Sequence, residues 1–231
     1  MTTVLLVRHG RTTANDSGVL AGWTPGVHLD DTGQRQVGTL AERLRPVPLA
    51  AVVTSPLARC RETAKAICAD RDATRPHVDR GFGEARYGEW EGRELKGLAK
   101  EKLWQAVQAH PSAVRFPGGE SLTEVQARAV TAVRGWNDRL GDDATYLVCS
   151  HADVIKAIVT DALGLHLDMF QRVQVDPGSL TVIRYTPLRP FVVRVNDLGG
   201  SVDDLRPAPK KRRRRASSDA VVGGGAGAPT A

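Results

Sequence analysis

Aromatic residues are scarce in this chain, only 5% of its 231 residues. The core must therefore be assembled mainly from Val, Leu, Ala and Ile. Cysteine is scarcer still. Cys60, Cys68 and Cys149 are odd in number and lack metal-ligand spacing, so neither a disulfide framework nor a structural zinc site is implied. No apolar run reaches the ~18 residues that a membrane span needs. An apolar strand begins where a signal peptide would stand. There is no internal repeat, and no Asp/His cluster with metal-ligand spacing. These absences exclude a disulfide-stapled secreted scaffold and a membrane-spanning protein. The expectation is a cytoplasmic protein with no membrane partner, no metal and no cofactor.

What remains is an ordinary globular composition, 41% hydrophobic and 25% charged, long enough for one domain with a substantial core. The formal charge of +6 is uneven. From Gly199 onward the chain carries +4, leaving +2 for residues 1–198. The expected domain is therefore 1–198. Residues 199–231, rich in Gly, Ala and Pro around the run Lys210–Arg215, show no hydrophobic period and read as a disordered basic tail. Such a run is either a solvated, self-repelling segment or a contact for nucleic acid or an acidic partner. The first of these is the default.

Val4-Leu5-Leu6-Val7 reads as a buried strand that ends abruptly in Arg8-His9-Gly10. Ala50–Thr54 and Thr145–Cys149 read as two more. The stretches 31–45, 56–69, 94–108, 121–140 and 152–163 carry helical spacing. Ser55-Pro56 reads as an N-cap with Pro in the first turn. Ser121 with Glu124 reads as a capping box. His77–Phe82 reads as a short strand, and Leu180–Tyr185 with Phe191–Asn196 as a terminal strand pair. Strands alternating with helices predict a three-layer α/β/α sandwich around a mostly parallel sheet. Ligands of such sheets sit at the C-terminal ends of the strands.

Those ends share one chemistry. The first strand delivers Arg8 and His9, the second leads to Arg59, and the third delivers His151. Arg8-His9-Gly10 alone is as consistent with an exposed strand end as with an anion site. Two guanidiniums and two imidazoles converging on one volume repel one another unless an anion joins them. A phosphoryl group is the simplest anion that fits bidentate arginine and a helix N-terminus. The acid that a phosphate ester's leaving oxygen requires lies in the loop 83–92, which holds Glu84, Glu89 and Glu91. The residues alone do not separate Glu84 from Glu89. An attacking imidazole must be neutral and held in one tautomer, so the second nitrogen of His9 is expected to donate to a backbone carbonyl such as that of Gly10. His28, His77, His110 and His166 read as solvated. Trp104 and Trp136 read as packing residues. Trp23 and Trp90 read as pocket wall or core, and Arg86 as a substrate contact or a surface ion pair.

Several blocks, in order, resemble the histidine phosphatase superfamily, the phosphoglycerate-mutase-like enzymes. They are Leu6–Thr12 with Asn15, Thr54–Ala64, Glu84 with Tyr87–Gly92, and Val148–His151. Leu29–Gly33 and Pro117–Ser121 are similar to lesser motifs of the family. The resemblance spans Thr3 to about Asn196. It implies His9 as nucleophile and Arg8, Arg59 and His151 as phosphate ligands. It also implies Asn15 as a phosphate contact and Glu84 as the acid. Thr12 and Ser55 are lesser candidates for the pocket. The chain departs from the family pattern in placing Ala152-Asp153 after the second histidine, where Gly is usual. The expected activity is metal-independent hydrolysis of a small phosphorylated metabolite through phosphohistidine. A phosphomutase is the alternative, and a silent binding module is a third, disfavoured by the full reactive set. Arg115, Arg128 and Trp23 are expected on the leaving-group side.

Overall fold

The computed structural model describes residues 1–69, 71, 75–200, 202, 205 and 206. The run Lys210–Arg215, with the rest of the expected tail from residue 207, lies outside the described residues.

Strand β1 (Thr2–Arg8) is buried without interruption from Val4 to Val7. Side chains alternate across a strand. Val4 and Leu6 accordingly enter one core, and Leu5 and Val7 the other. A strand with two buried faces must be central, and β1 is. It pairs in parallel with β4 (Thr145–Ser150) and antiparallel with β5 (Leu180–Tyr185). The full order is β3-β2-β4-β1-β5-β6, with β2 Ala51–Thr54, β3 His77–Val78 and β6 Pro190–Asp197. Strands β1 to β4 run parallel, and the antiparallel pair β5–β6 closes one side.

Helices cover both faces. On one, α2 (Asp31–Leu44) and α3 (Ala58–Cys68) bury Val37, Leu40, Cys60 and Ala64 against Leu5, Val52 and Leu147. On the other, α6 (Leu122–Leu140) and α7 (Ala152–Ala162) bury Val125, Val133, Ile155 and Ile158 against Val4, Leu6 and Val148. The α/β/α sandwich expected from the sequence is thus the fold. The capping box of α6 forms as read, Ser121 with Glu124.

Three local readings need correction. Helix α3 starts at Ala58 with Leu57 as N-cap, so Ser55 is not the cap and Pro56 is not helical. The Ser55 hydroxyl is committed elsewhere, 2.8 Å from His151 Nε2. The stretch read as one helix over 94–108 is two, α4 (Leu95–Leu98) and α5 (Lys102–Ala109). Leu98 and Val107 are both buried, yet nine residues at 100° each would put them on opposite faces of one helix. The break at 99–101 lets both point inward. Finally, the strand expected over His77–Phe82 stops at Val78 and gives way to a 3₁₀ turn over Arg80–Phe82, because Asp79 caps that turn through the Gly81 amide. The polar loop after β1 also holds a helical turn, α1 (Thr13–Asp16), closed by a Thr12/Asn15 capping box.

The loop after β1 is pinned by close packing. A side chain at Gly33 would meet the Arg11 carbonyl oxygen at 2.0 Å, so only glycine lets the start of α2 lie against it. The start of the expected tail is not all solvent: Val202 and Leu205 are buried in the α2–α3 core, and Arg43 donates to the carbonyls of Gly199 and Gly200. Ending the chain after Leu198, rather than after Arg206, is expected to lower stability by about 2–4 kcal/mol, for two apolar side chains removed from the core. Urea midpoints of the two truncated chains measure this. Equal midpoints would show that 202 and 205 contribute nothing.

Candidate active site

The parallel strands deliver their last residues to one edge of the sheet. The β1–β4 register sets Arg8 opposite Ser150, and β2 aligns Thr54 with Cys149. The residues just beyond are therefore neighbours. The His9 amide donates to Ser150 O, and the His9 and His151 rings stand 5.3 Å apart edge to face. Arg59, in the first turn of α3, lies between them. Its Nε is 3.2 Å from His9 Nε2 and its Nη2 3.2 Å from His151 Nδ1.

A guanidinium only donates, so these contacts settle both imidazoles. His9 Nδ1 is 2.8 Å from Gly10 O and must carry the proton there, leaving Nε2 with its lone pair. The backbone anchor expected for the nucleophile's second nitrogen is thus present, on the carbonyl expected. His151 accepts from Arg59 at Nδ1 and donates from Nε2 to Ser55 Oγ. Burial first, and the Arg59 guanidinium second, hold both histidines well below the usual imidazole range, so both are neutral at pH 7.

Glu84 stands across from them, its Oε2 3.6 Å from His151 Nδ1 and its Oε1 accepting from the Ala85 amide. Burial, reinforced by Asp153 and opposed by Arg59, pushes its carboxyl up to about 7. The contact with His151 is therefore not a standing ion pair. It joins a neutral ring to a carboxyl that readily holds a proton. The structure also separates the acids that the sequence left equivalent: Glu84 is 8% exposed and lines the cavity, whereas Glu89 is exposed outside it.

Arg8 donates from Nη1 to Val175 O, and its Nε is buried without a partner among the described residues. That side chain lines a cavity of about 300 Å³ with His9, Asn15, Arg59 and Glu84. Thr12 lines it too, whereas Ser55 reaches it only through His151. All six residues singled out in the sequence are therefore brought together, with His151 wholly buried behind the others.

Cys60 also touches His151, with Sγ 3.4 Å from Nε2. Burial pushes its thiol up to about 12, so it is protonated and inert, and it is no competing nucleophile.

Three residues expected on the leaving-group side do other work. Arg128 clamps the backbone of the acid loop, donating to the carbonyls of Gly81, Gly83 and Glu84, and is held by Glu120. Trp23 donates to Glu84 O at 2.7 Å, under the guanidinium of Arg86. Arg115 pairs with Glu124 on the surface. Trp90 does line the cavity, and so does Trp104, which also packs against the core as read. The departure at Ala152-Asp153 is also at the cavity wall. Asp153 accepts from Tyr87 Oη at 2.8 Å and lies 3.6 Å from Lys156 Nζ. The sequence signal for the Arg128 clamp was the Pro117–Ser121 motif. Its Glu120 binds both Arg128 and the Arg86 amide, and a side chain at Gly88 would strike Pro117 O at 2.0 Å.

Residues 4–198 match the family described as histidine phosphatase superfamily (branch 1), and the chain belongs to it. It is 34% identical over 194 residues to the bifunctional protein Rv2228c of Mycobacterium tuberculosis, a match covering 80% of this chain and 50% of that protein. The chain thus spans half the length of that relative. It is 27% identical over 183 residues to the adenosylcobalamin/alpha-ribazole phosphatase of Salmonella typhimurium, covering 77% of this chain and 88% of that one. Among solved structures, Bacillus stearothermophilus YhfR superposes with a TM-score of 0.79 at 28% identity, over 85% of this chain and 98% of that chain. No helix among the described residues is long and apolar enough to cross a membrane.

Proposed function

We propose that this chain is a phosphomonoesterase that hydrolyses a small phosphate ester in two steps through phosphohistidine at His9. The observation that carries the reading is the state of His9. It is neutral, with Nδ1–H tied to Gly10 O and the Nε2 lone pair turned to Arg59, inside a pocket lined by two arginines.

In the first step Nε2 of His9 attacks phosphorus and the ester P–O bond breaks. Glu84, whose raised carboxyl holds its proton up to about pH 7, gives it to the departing alkoxide, so an alcohol leaves. Arg8 and Arg59 hold the equatorial oxygens, and the charge they carry does the work of positioning and neutralisation. His151 stays neutral and, accepting from Arg59 at Nδ1, holds that guanidinium in place for the phosphoryl oxygens. Asn15 completes the contacts from the loop. In the second step the Glu84 carboxylate takes a proton from water as its oxygen attacks phosphorus. The P–N bond breaks, His9 is regenerated and inorganic phosphate leaves.

The test is rapid quenching of turnover with a ³²P-labelled ester. The expected result is a labelled protein that is stable in alkali and labile in acid, as a P–N bond is, with steady-state turnover unaffected by chelator. Label on the protein that survives acid would overturn the histidine intermediate. Isomerisation of 3-phosphoglycerate faster than its hydrolysis would make the chain a mutase.

A further inference from the structure

Beyond Arg8, His9, Arg59 and Glu84, much of the cavity lining is apolar and aromatic. Tyr87, Trp90, Trp104 and Phe116 belong to it, with Leu20 and Leu95. In a chain with 11 aromatic residues, four stand around one cavity. They are braced against one another: Tyr87 and Phe116 edge to face at 4.9 Å, Trp90 and Phe116 at 5.5 Å, and Trp90 and Trp104 stacked at 6.2 Å. Three of the rings are almost wholly buried, and Trp104 alone is only partly covered. Of the four, it leaves the most ring surface open to a bound group.

The other two charged residues of the lining are already partnered. Lys156 is the one cation among the lining residues beyond Arg8 and Arg59. It donates to Gln171 Oε1 at 3.2 Å and stands 3.6 Å from Asp153. A second anionic group on a substrate would find no unmatched cation there and would face Asp153. Desolvating a carboxylate without a partner is costly, and a like charge beside it adds to the cost. At the mouth, exposed Gln108 offers a neutral carboxamide.

Building on the phosphatase reading above, we infer that the substrate is the phosphate monoester of an uncharged alcohol bearing an aromatic ring, not of a small carboxylic acid. The ring lies against Trp104 while the ester oxygen stays beside Glu84. Stacked aromatic faces and apolar burial supply the discrimination.

Three alkyl phosphates with similar leaving oxygens test this: 2-phenylethyl phosphate, glycerol 3-phosphate and 3-phosphoglycerate. We expect kcat/KM to fall in that order, the first exceeding the second by about 10- to 100-fold for one buried ring. Trp104→Ala should contract that ratio about tenfold, and Trp104→Phe should keep most of it. The ratio is taken within each variant, so loss of folded protein does not mimic the effect. A ratio untouched by Trp104→Ala, or 3-phosphoglycerate as the best of the three, overturns the inference and leaves the phosphatase reading standing. Absence of turnover on all three overturns the phosphatase reading, and this inference falls with it.

Discussion

His9→Ala is expected to lower kcat by about 10⁴-fold or more, because removing a covalent nucleophile forces a different reaction path. The expectation follows from the surroundings of Nε2 and not from the presence of a histidine alone. Six histidines occur in the chain, and four lie outside the site. Only His9 pairs a backbone acceptor at Nδ1 with a lone pair directed at a guanidinium. Loss of the imidazole also removes Arg59's contact there, but Arg59 keeps Gly22 O and His151 as partners. Binding of inorganic phosphate, measured by calorimetry, should therefore persist within about tenfold while turnover is lost. A variant that retains a tenth of wild-type kcat would show that His9 is a ligand and not the nucleophile.

Glu84→Gln is expected to lower kcat/KM by about 10²- to 10⁴-fold, the range of a lost general acid. It should also erase the alkaline limb of the pH profile. In the wild type that limb should fall through about 7, the value to which burial and Asp153 raise the Glu84 carboxyl. The sign is fixed by the first step. The acid form donates, so activity declines as pH rises and the proton is lost. Asp153→Asn removes one cause of the raised value and should move the limb to lower pH. The groups facing Glu84 are His151, Arg59, Arg8, Asp153 and Tyr87, and of the charged ones only Asp153 favours the protonated form.

Stability should follow pH in the same direction. The Glu84 carboxyl is raised in the folded state above its ordinary 4.5, so the folded protein binds the proton more tightly than the unfolded chain. The associated stabilisation is complete below about 4.5 and is lost as pH rises through about 7. Glu84→Gln should thus melt higher than wild type above pH 7 while being nearly inactive. An unshifted alkaline limb in Asp153→Asn, or equal melting at pH 8, would remove burial and Asp153 as the controls on Glu84.

Much of the candidate site was legible because charged and imidazole side chains at strand ends interrupt an apolar pattern. Arg8 and His9 follow four buried residues, and His151 follows β4 in the same way. Glu84 was harder to read. Its loop holds three acids, and only burial at the cavity beside His151 separates Glu84 from Glu89 in the fold. Arg128 was misread because an arginine on a helix carries no local mark of what it reaches. Its partners, Gly81 to Glu84, lie more than forty positions away. Trp104 packs on Trp90 as read, but its place on the cavity wall was not legible, for a related reason. A helical period shows that a face is apolar, and not whether that face meets core or cavity.

The sequence by itself determined the α/β sandwich, the edge of the sheet that carries the site, and Arg8, His9, Arg59 and His151 there, because periodicity and strand ends are local properties of the chain; Asn15 and Glu84 came from the family resemblance. Only the tertiary structure decided the protonation states of His9, His151 and Glu84. Those states depend on burial and on an Arg59 that is fifty residues from one histidine and ninety-two from the other. Only the tertiary structure, too, assembled the aromatic wall, since Tyr87 and Trp90, Trp104, and Phe116 come from three separate stretches of chain that meet only when the core closes.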